Sequence, residues 1–206
     1  MSKTLYIDID STIWDTNETV LNTLKRDLGI EAKYEDITYW GYYEDLVGGG
    51  EGWFNKVFKD AFDPYQVYHR ELYPGVEDAL HTLWTRDNFR FHFLSHNPEP
   101  TKMIAPVNEW LHSKLTVPFR LTIFGARNCK INFMDTDTSA WGIVEDKPST
   151  LAKAAKNGYA TIAKSHPYNL TTIDQYDIIS FGSWSEVPAL VRKEIERGDR
   201  IAVARG

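Results

Sequence analysis

Two aspartates one residue apart, Asp8 and Asp10, close the short apolar run from Thr4 to Ile7. A carboxylate at the end of a strand can attack phosphorus and form an acyl phosphate, provided that a divalent ion and hydrogen-bond donors offset the repulsion between two anions. Asp8 is the candidate for that attack. Asp10 leaves the same turn on the same side, where it can give a proton to the leaving oxygen and later take one from water. Two further polar clusters follow apolar runs in the same way, Ser95-His96-Asn97 and Glu145-Asp146-Lys147-Pro148.

Each cluster has residue types that suit one part of such a reaction. Asp146 supplies the extra carboxylate of an oxygen-rich magnesium shell, and Glu145 beside it is placed to orient a lysine. Ser95 offers a hydroxyl, and the backbone N–H groups after it offer donors for phosphate oxygens at a strand-to-helix turn. Thr12 adds a second hydroxyl. His96 either reads the same phosphate or closes the turn, and it is not expected to be a catalytic base. Lys130 is the expected phosphate-binding cation, with Arg127 and Lys147 as rivals. Singly, these clusters also read as an ordinary turn, a helix cap and a helix start. Together, each behind a hydrophobic strand, they read as one site.

The elements that would bring them together alternate along the chain. Strands are expected at Thr4 to Ile7, Phe89 to Leu94, Phe119 to Phe124, Trp141 to Val144, Ala160 to Ala163 and Asp177 to Ser180. Between them lie helical patterns: one capped by Thr16 or Asn17, with Val20, Leu21, Leu24 and Leu28 before Gly29, and one through Val76, Ala79, Leu80 and Leu83. Further helices are expected around Thr101 to Leu115, Pro148 to Asn157 and Trp184 to Arg197. Strands alternating with helices predict a three-layer α/β/α Rossmann-like fold whose parallel sheet gathers ligands at the carboxyl ends of its strands. The aromatic-dense stretch from about Tyr34 to Tyr73 reads as short helices and loops, a small cap inserted after the first strand. The expected division is therefore a core of residues 1–13 and 76–206 with a cap over 14–75.

Composition limits the partners. The 206 residues are 42% hydrophobic and 25% charged, ordinary for a globular chain, with a formal net charge of −6. That acidity disfavours a broad grip on nucleic-acid backbones, while a small phosphate ester remains compatible because a divalent cation can reverse the local sign. One cysteine, Cys129, permits no intramolecular disulfide. The absence of a membrane-length apolar stretch or signal-peptide pattern leads to the expectation of a cytoplasmic protein. A homodimer is allowed and not argued by any residue.

With these residues in hand, the chain resembles the haloacid dehalogenase-like phosphatase superfamily, whose signature runs Asp-x-Asp-x-Thr, then Ser or Thr, then Lys, then paired acids. The resemblance implies Asp8 as nucleophile, Asp10 as general acid and base, Ser95 and Lys130 as phosphate holders, and Mg2+ bound by Asp8, Asp146 and the backbone carbonyl of Asp10. Ser11 stands where the family usually has glycine, and Glu145 where aspartate is more frequent. Tyr73-Pro74-Gly75, the paired acids and His166-Pro167-Tyr168-Asn169 look like the 5'(3')-deoxyribonucleotidases. That subfamily implies a nucleoside monophosphate substrate whose base is sandwiched by cap aromatics, with Trp40 in the corresponding stretch. The alternatives are a sugar phosphate, a nucleic-acid 3'-phosphate, or a catalytically silent module that binds a phosphate ligand.

Overall fold

The structure, a computed structural model, describes residues 3–125 and 128–205, with side chains as far as residue 197. Arg127 lies outside the described residues. Six strands form one sheet in the order β3-β2-β1-β4-β5-β6, every neighbouring pair parallel. They are β1 (Thr4–Asp8), β2 (Arg90–His96), β3 (Phe119–Phe124), β4 (Ala140–Glu145), β5 (Ala160–Lys164) and β6 (Ile179–Phe181). Flanking helices are α4 (Val76–Asp87), α5 (Pro100–Lys114), α7 (Pro148–Lys156) and α9 (Val187–Arg205).

The central strand explains the rest. All five residues of β1 are buried, as expected of a parallel strand covered on both faces. The chain builds outward from β1 to β2 and β3, then returns to place β4 on the other side of β1. This reversal opens the crevice in which open α/β sheets bind ligands. Register then aligns the polar ends: Asp8 pairs with Leu94, one residue short of Ser95, and Ile7 pairs with Val144, one short of Glu145. Close approach of β4 to β5 depends on Gly142, where an added Cβ would meet Ala160 O at 2.3 Å.

The segment between β1 and α4 begins with α1 (Thr16–Thr23), continued by a π-helical turn, Leu24–Leu28, and stopped by Gly29 at φ +66°. Its cap is Asp15, whose Oδ1 accepts from Glu18 N–H at 2.9 Å, in place of the expected Thr16 or Asn17. The wider π turn rotates the helical face, leaving Leu28 39% exposed where the 3.6-residue pattern had it inward. Two short helices follow, α2 (Tyr42–Leu46) and α3 (Trp53–Phe58). One hydrophobic cluster runs from Leu5 and Ile7 through Trp14 to Tyr43, Val57 and Val67.

Two short helices were not expected, α6 (Lys130–Met134) and α8 (Leu170–Gln175). Five or six residues are too few to show helical periodicity. The last strand begins two residues later than expected because Asp177 turns the chain at φ +50°. Among the described residues, no helix is long and apolar enough to cross a membrane.

Candidate active site

The turn after β1 sets the geometry of the site. Ile13 N–H bonds Ile9 O at 3.1 Å, closing a tight loop in which Ser11 sits at φ +59°. That left-handed conformation suits glycine, and a residue with a side chain needs outside support to hold it. Ser11 is held at three points: its N–H donates to Thr16 Oγ1 at 2.9 Å, its hydroxyl accepts from Asn17 Nδ2 at 3.3 Å, and its carbonyl accepts from His166 Nε2 at 2.7 Å. A carbonyl only accepts, so His166 carries its proton on Nε2 and accepts a hydrogen bond from the Tyr34 hydroxyl on Nδ1. Burial holds this imidazole near a pKa of about 4, so it is neutral.

Asp8 is buried, with Thr12 donating to Oδ2 at 3.2 Å and Lys130 donating to Oδ1. Lys130, at the start of α6, also donates to Glu145 Oε2 at 2.9 Å. The other oxygen of Glu145 accepts the N–H groups of Asp146 and Lys147, at 3.1 and 3.0 Å. Asp146 Oδ2 accepts from the Tyr168 hydroxyl, and its backbone carbonyl accepts from Asn169 Nδ2 at 2.8 Å. Asp10 is bound on both oxygens, by the indole N–H of Trp14 on Oδ1 at 3.1 Å and the Ser95 hydroxyl on Oδ2 at 2.7 Å.

Charge is unbalanced here. Asp8, Glu145 and Asp146 bring carboxylate oxygens within 4.8 Å of one another, all buried, against one buried ammonium. Burial, and then the neighbouring Glu145, pushes Asp8 up to about 7. Burial followed by Asp8 and Glu145 holds Asp146 well above the usual carboxylate range. For Glu145 burial acts upward too, but Lys130 and the backbone donors outweigh it and keep it low. For Lys130, burial is outweighed by the two carboxylates, which raise it. The donor set is all oxygen and excess negative charge, which fits a hard divalent cation such as Mg2+. Both oxygens of Glu145 and both oxygens of Asp8 accept hydrogen bonds, whereas among the described residues no donor bonds Asp146 Oδ1, which is the carboxylate oxygen of this cluster left open to an ion.

The remaining expected residues are placed as follows. Thr12 is fully buried and props Asp8; it does not line the cleft. Ser95 faces Asp10. His96 lines the cleft, but its Nε2 donates to Asn128 O at 2.7 Å, so this ring closes the turn and offers the cleft only an acceptor nitrogen. Of the three cations considered, Lys130 reaches Asp8, while Lys147 lies 5.3 Å over the Trp40 ring. Trp40 lines the cleft, 52% exposed and edge-on to Tyr168 at 5.5 Å. The cleft encloses about 400 Å³ and is lined both by the carboxylates and by the aromatic side chains of Trp53, Phe54, Phe58 and Phe62.

Trp14, His166, Tyr168 and Asn169 were not expected as site residues. The last three form a fourth polar cluster behind an apolar strand, the same signal that marked the other three. Trp14 lies four residues from Asp10 and carried no separate signal.

No protein-family model matches the chain. No curated protein matches its sequence. Solved structures do match in fold. A provisionally named beta-phosphoglucomutase from Thermotoga maritima superposes with a TM-score of 0.59 at 12% identity, over 93% of this chain and 99% of that one. A provisionally named haloacid dehalogenase-like hydrolase from Bacteroides fragilis gives 0.59 at 15%, over 87% and 96%. A provisionally named HAD-hydrolase from Bacillus subtilis, bound to magnesium, gives 0.57 at 13%, over 93% and 99%. The fold is therefore that of the haloacid dehalogenase-like hydrolases.

Proposed function

We propose that this chain is a magnesium-dependent phosphomonoester hydrolase that works through an aspartyl-phosphate at Asp8 and acts on nucleoside monophosphates. The observation that carries the chemistry is Asp8 set between Lys130 and Asp146, with Asp10 beside it held on both carboxyl oxygens. The magnesium-bound fold relative supports the choice of ion.

In the first half-reaction an Asp8 oxygen bonds to phosphorus as the bond from phosphorus to the ester oxygen breaks. The electron pair stays on the ester oxygen, which takes a proton from Asp10 and leaves as an alcohol. In the second half, Asp10 takes a proton from water as that water attacks the phosphorus, releasing phosphate and restoring Asp8. Lys130 neutralises Asp8 as the anion approaches, and Glu145 keeps the ammonium in place. Bound Mg2+, held by Asp8, Asp146 and the Asp10 carbonyl, would supply charge neutralisation of the phosphate oxygens.

The aromatic side chains that line the cleft together with the carboxylates support a nucleoside as the leaving group, since a base stacked on an aromatic face gains roughly 1 to 3 kcal/mol. A sugar phosphate is the second reading, favoured by the likeness to the Thermotoga maritima protein. Phosphate release from deoxynucleoside and ribonucleoside monophosphates and sugar phosphates, with and without magnesium, tests both. Turnover of nucleotides alone supports the first, turnover of sugar phosphates alone the second, and none from either class refutes the function.

A further inference from the structure

Asp10 has two neighbours of different chemical character. The Ser95 hydroxyl, 2.7 Å from Oδ2, can donate to a carboxylate or rotate and accept from a carboxylic acid. The Trp14 indole N–H, 3.1 Å from Oδ1, can only donate. Oδ1 is therefore held as an acceptor in both states of the carboxyl group, and Oδ2 is left as the oxygen that exchanges a proton.

Trp14 is itself immobilised. It is 3% exposed, and the guanidinium of Arg70 lies 4.1 Å from its ring centroid. Arg70 is 5% exposed and is an unusual buried cation, because among the described residues no carboxylate pairs with it. It donates to Ala61 O through one terminal nitrogen, and its Nε has no partner. A second indole, Trp110, lies 6.0 Å from the guanidinium and donates to the Arg70 carbonyl at 3.0 Å. An unpaired buried guanidinium is costly unless something else offsets its charge. The Trp14 face supplies such an offset, and the N–H of the same indole donates to the Asp10 carboxylate.

We propose that Trp14, braced by Arg70, is a positioning residue that holds Asp10 Oδ1 as an acceptor and so commits Oδ2 to proton transfer with the ester oxygen. The inference rests on the phosphohydrolase reading. In the step it governs, the Asp10 Oδ2–H bond breaks and the proton joins the ester oxygen, whose electron pair comes from its broken bond to phosphorus. Asp10 is left as a carboxylate, stabilised by the unchanged indole N–H bond and by Ser95 turning back to donate.

The test compares leaving groups. An alkyl phosphate such as glycerol 2-phosphate needs a proton on its leaving oxygen, whereas p-nitrophenyl phosphate expels a stable phenolate without one. Trp14→Phe should lose at least tenfold more kcat/KM on the alkyl ester than on the aryl ester. An analogue of Trp14 with sulfur replacing the indole N–H keeps the shape and should give the same ratio, which covers failure of Trp14→Phe to fold. Arg70→Met should move the ratio in the same direction by a smaller factor. Equal losses on the two esters, or no loss on either, with an active parent protein would overturn the inference and leave the function standing. A folded parent protein that hydrolyses neither these two esters nor any nucleoside monophosphate or sugar phosphate with magnesium would overturn the function and this inference with it.

Discussion

Lys130 donates to Glu145 at 2.9 Å with both side chains almost shut off from water, 3% and 0% exposed. The other oxygen of Glu145 faces two backbone N–H groups. Glutamine in its place must turn its NH2 group against a donor whichever way the amide lies. Glu145→Gln should therefore lower kcat, and breaking this buried network should cost about 3 kcal/mol of stability. Steady-state kinetics beside a denaturant titration check both, and a variant unchanged in each would remove Glu145 from its clamping role.

Tyr168 donates to Asp146 Oδ2 and stacks at 5.0 Å on the His166 ring. Groups behind a metal ligand typically govern affinity by 10- to 100-fold. Tyr168→Phe should raise the magnesium concentration needed for half-maximal activity by about 10-fold, with KM for substrate little changed at saturating magnesium. An unchanged magnesium titration would show that the hydroxyl does not orient Asp146.

His166 is neutral in the fold, depressed to about 4 from an ordinary 6.5 by burial. Between those values the unfolded chain binds more protons, so stability is fully present above pH 6.5 and is lost as the pH falls toward 4. The size of that loss is on the order of 2 to 3 kcal/mol. His166→Gln should lose less stability over the same interval. Parallel acid-induced losses in the two proteins, measured by urea unfolding at each pH, would contradict the assignment.

Trp40, which lines the cleft, has a separate expected role. If a base stacks on Trp40, Trp40→Ala should raise KM for a nucleoside monophosphate by about 5- to 100-fold and leave glycerol 2-phosphate unaffected. A rise of the same size for both substrates would mean that Trp40 serves the local packing, and no rise would leave the base without this contact.

Much of this arrangement could be read along the chain because the central strands are apolar on both faces and stop at polar clusters. Thr4 to Ile7 ends at Asp8, and Trp141 to Val144 ends at Glu145 and Asp146, so the sheet register alone brings them together. Lys130 was harder to place because its helix is one short turn. His166 and Tyr168 were quoted as a sequence pattern without a site role, since that role depends on where the loop after β5 lands beside residues some 22 and 155 positions away. Thr12 was read as a phosphate hydroxyl because sequence does not tell which side of a tight turn faces the cleft. The π turn at Leu24–Leu28 altered a helical face without altering the apolar spacing.

The central claim is that Asp8 forms the bond to phosphorus. Magnesium-dependent phosphate release by Asp8→Asn tests it most directly, with thermal unfolding in magnesium-free buffer at pH 8 as the check on folding. Because burial disfavours the charged Asp8 carboxylate in the fold, the variant should melt no lower than the parent protein. Its turnover should fall by at least about 1,000-fold, as expected when a covalent nucleophile is removed. A folded Asp8→Asn protein releasing phosphate within tenfold of the parent rate would contradict the account.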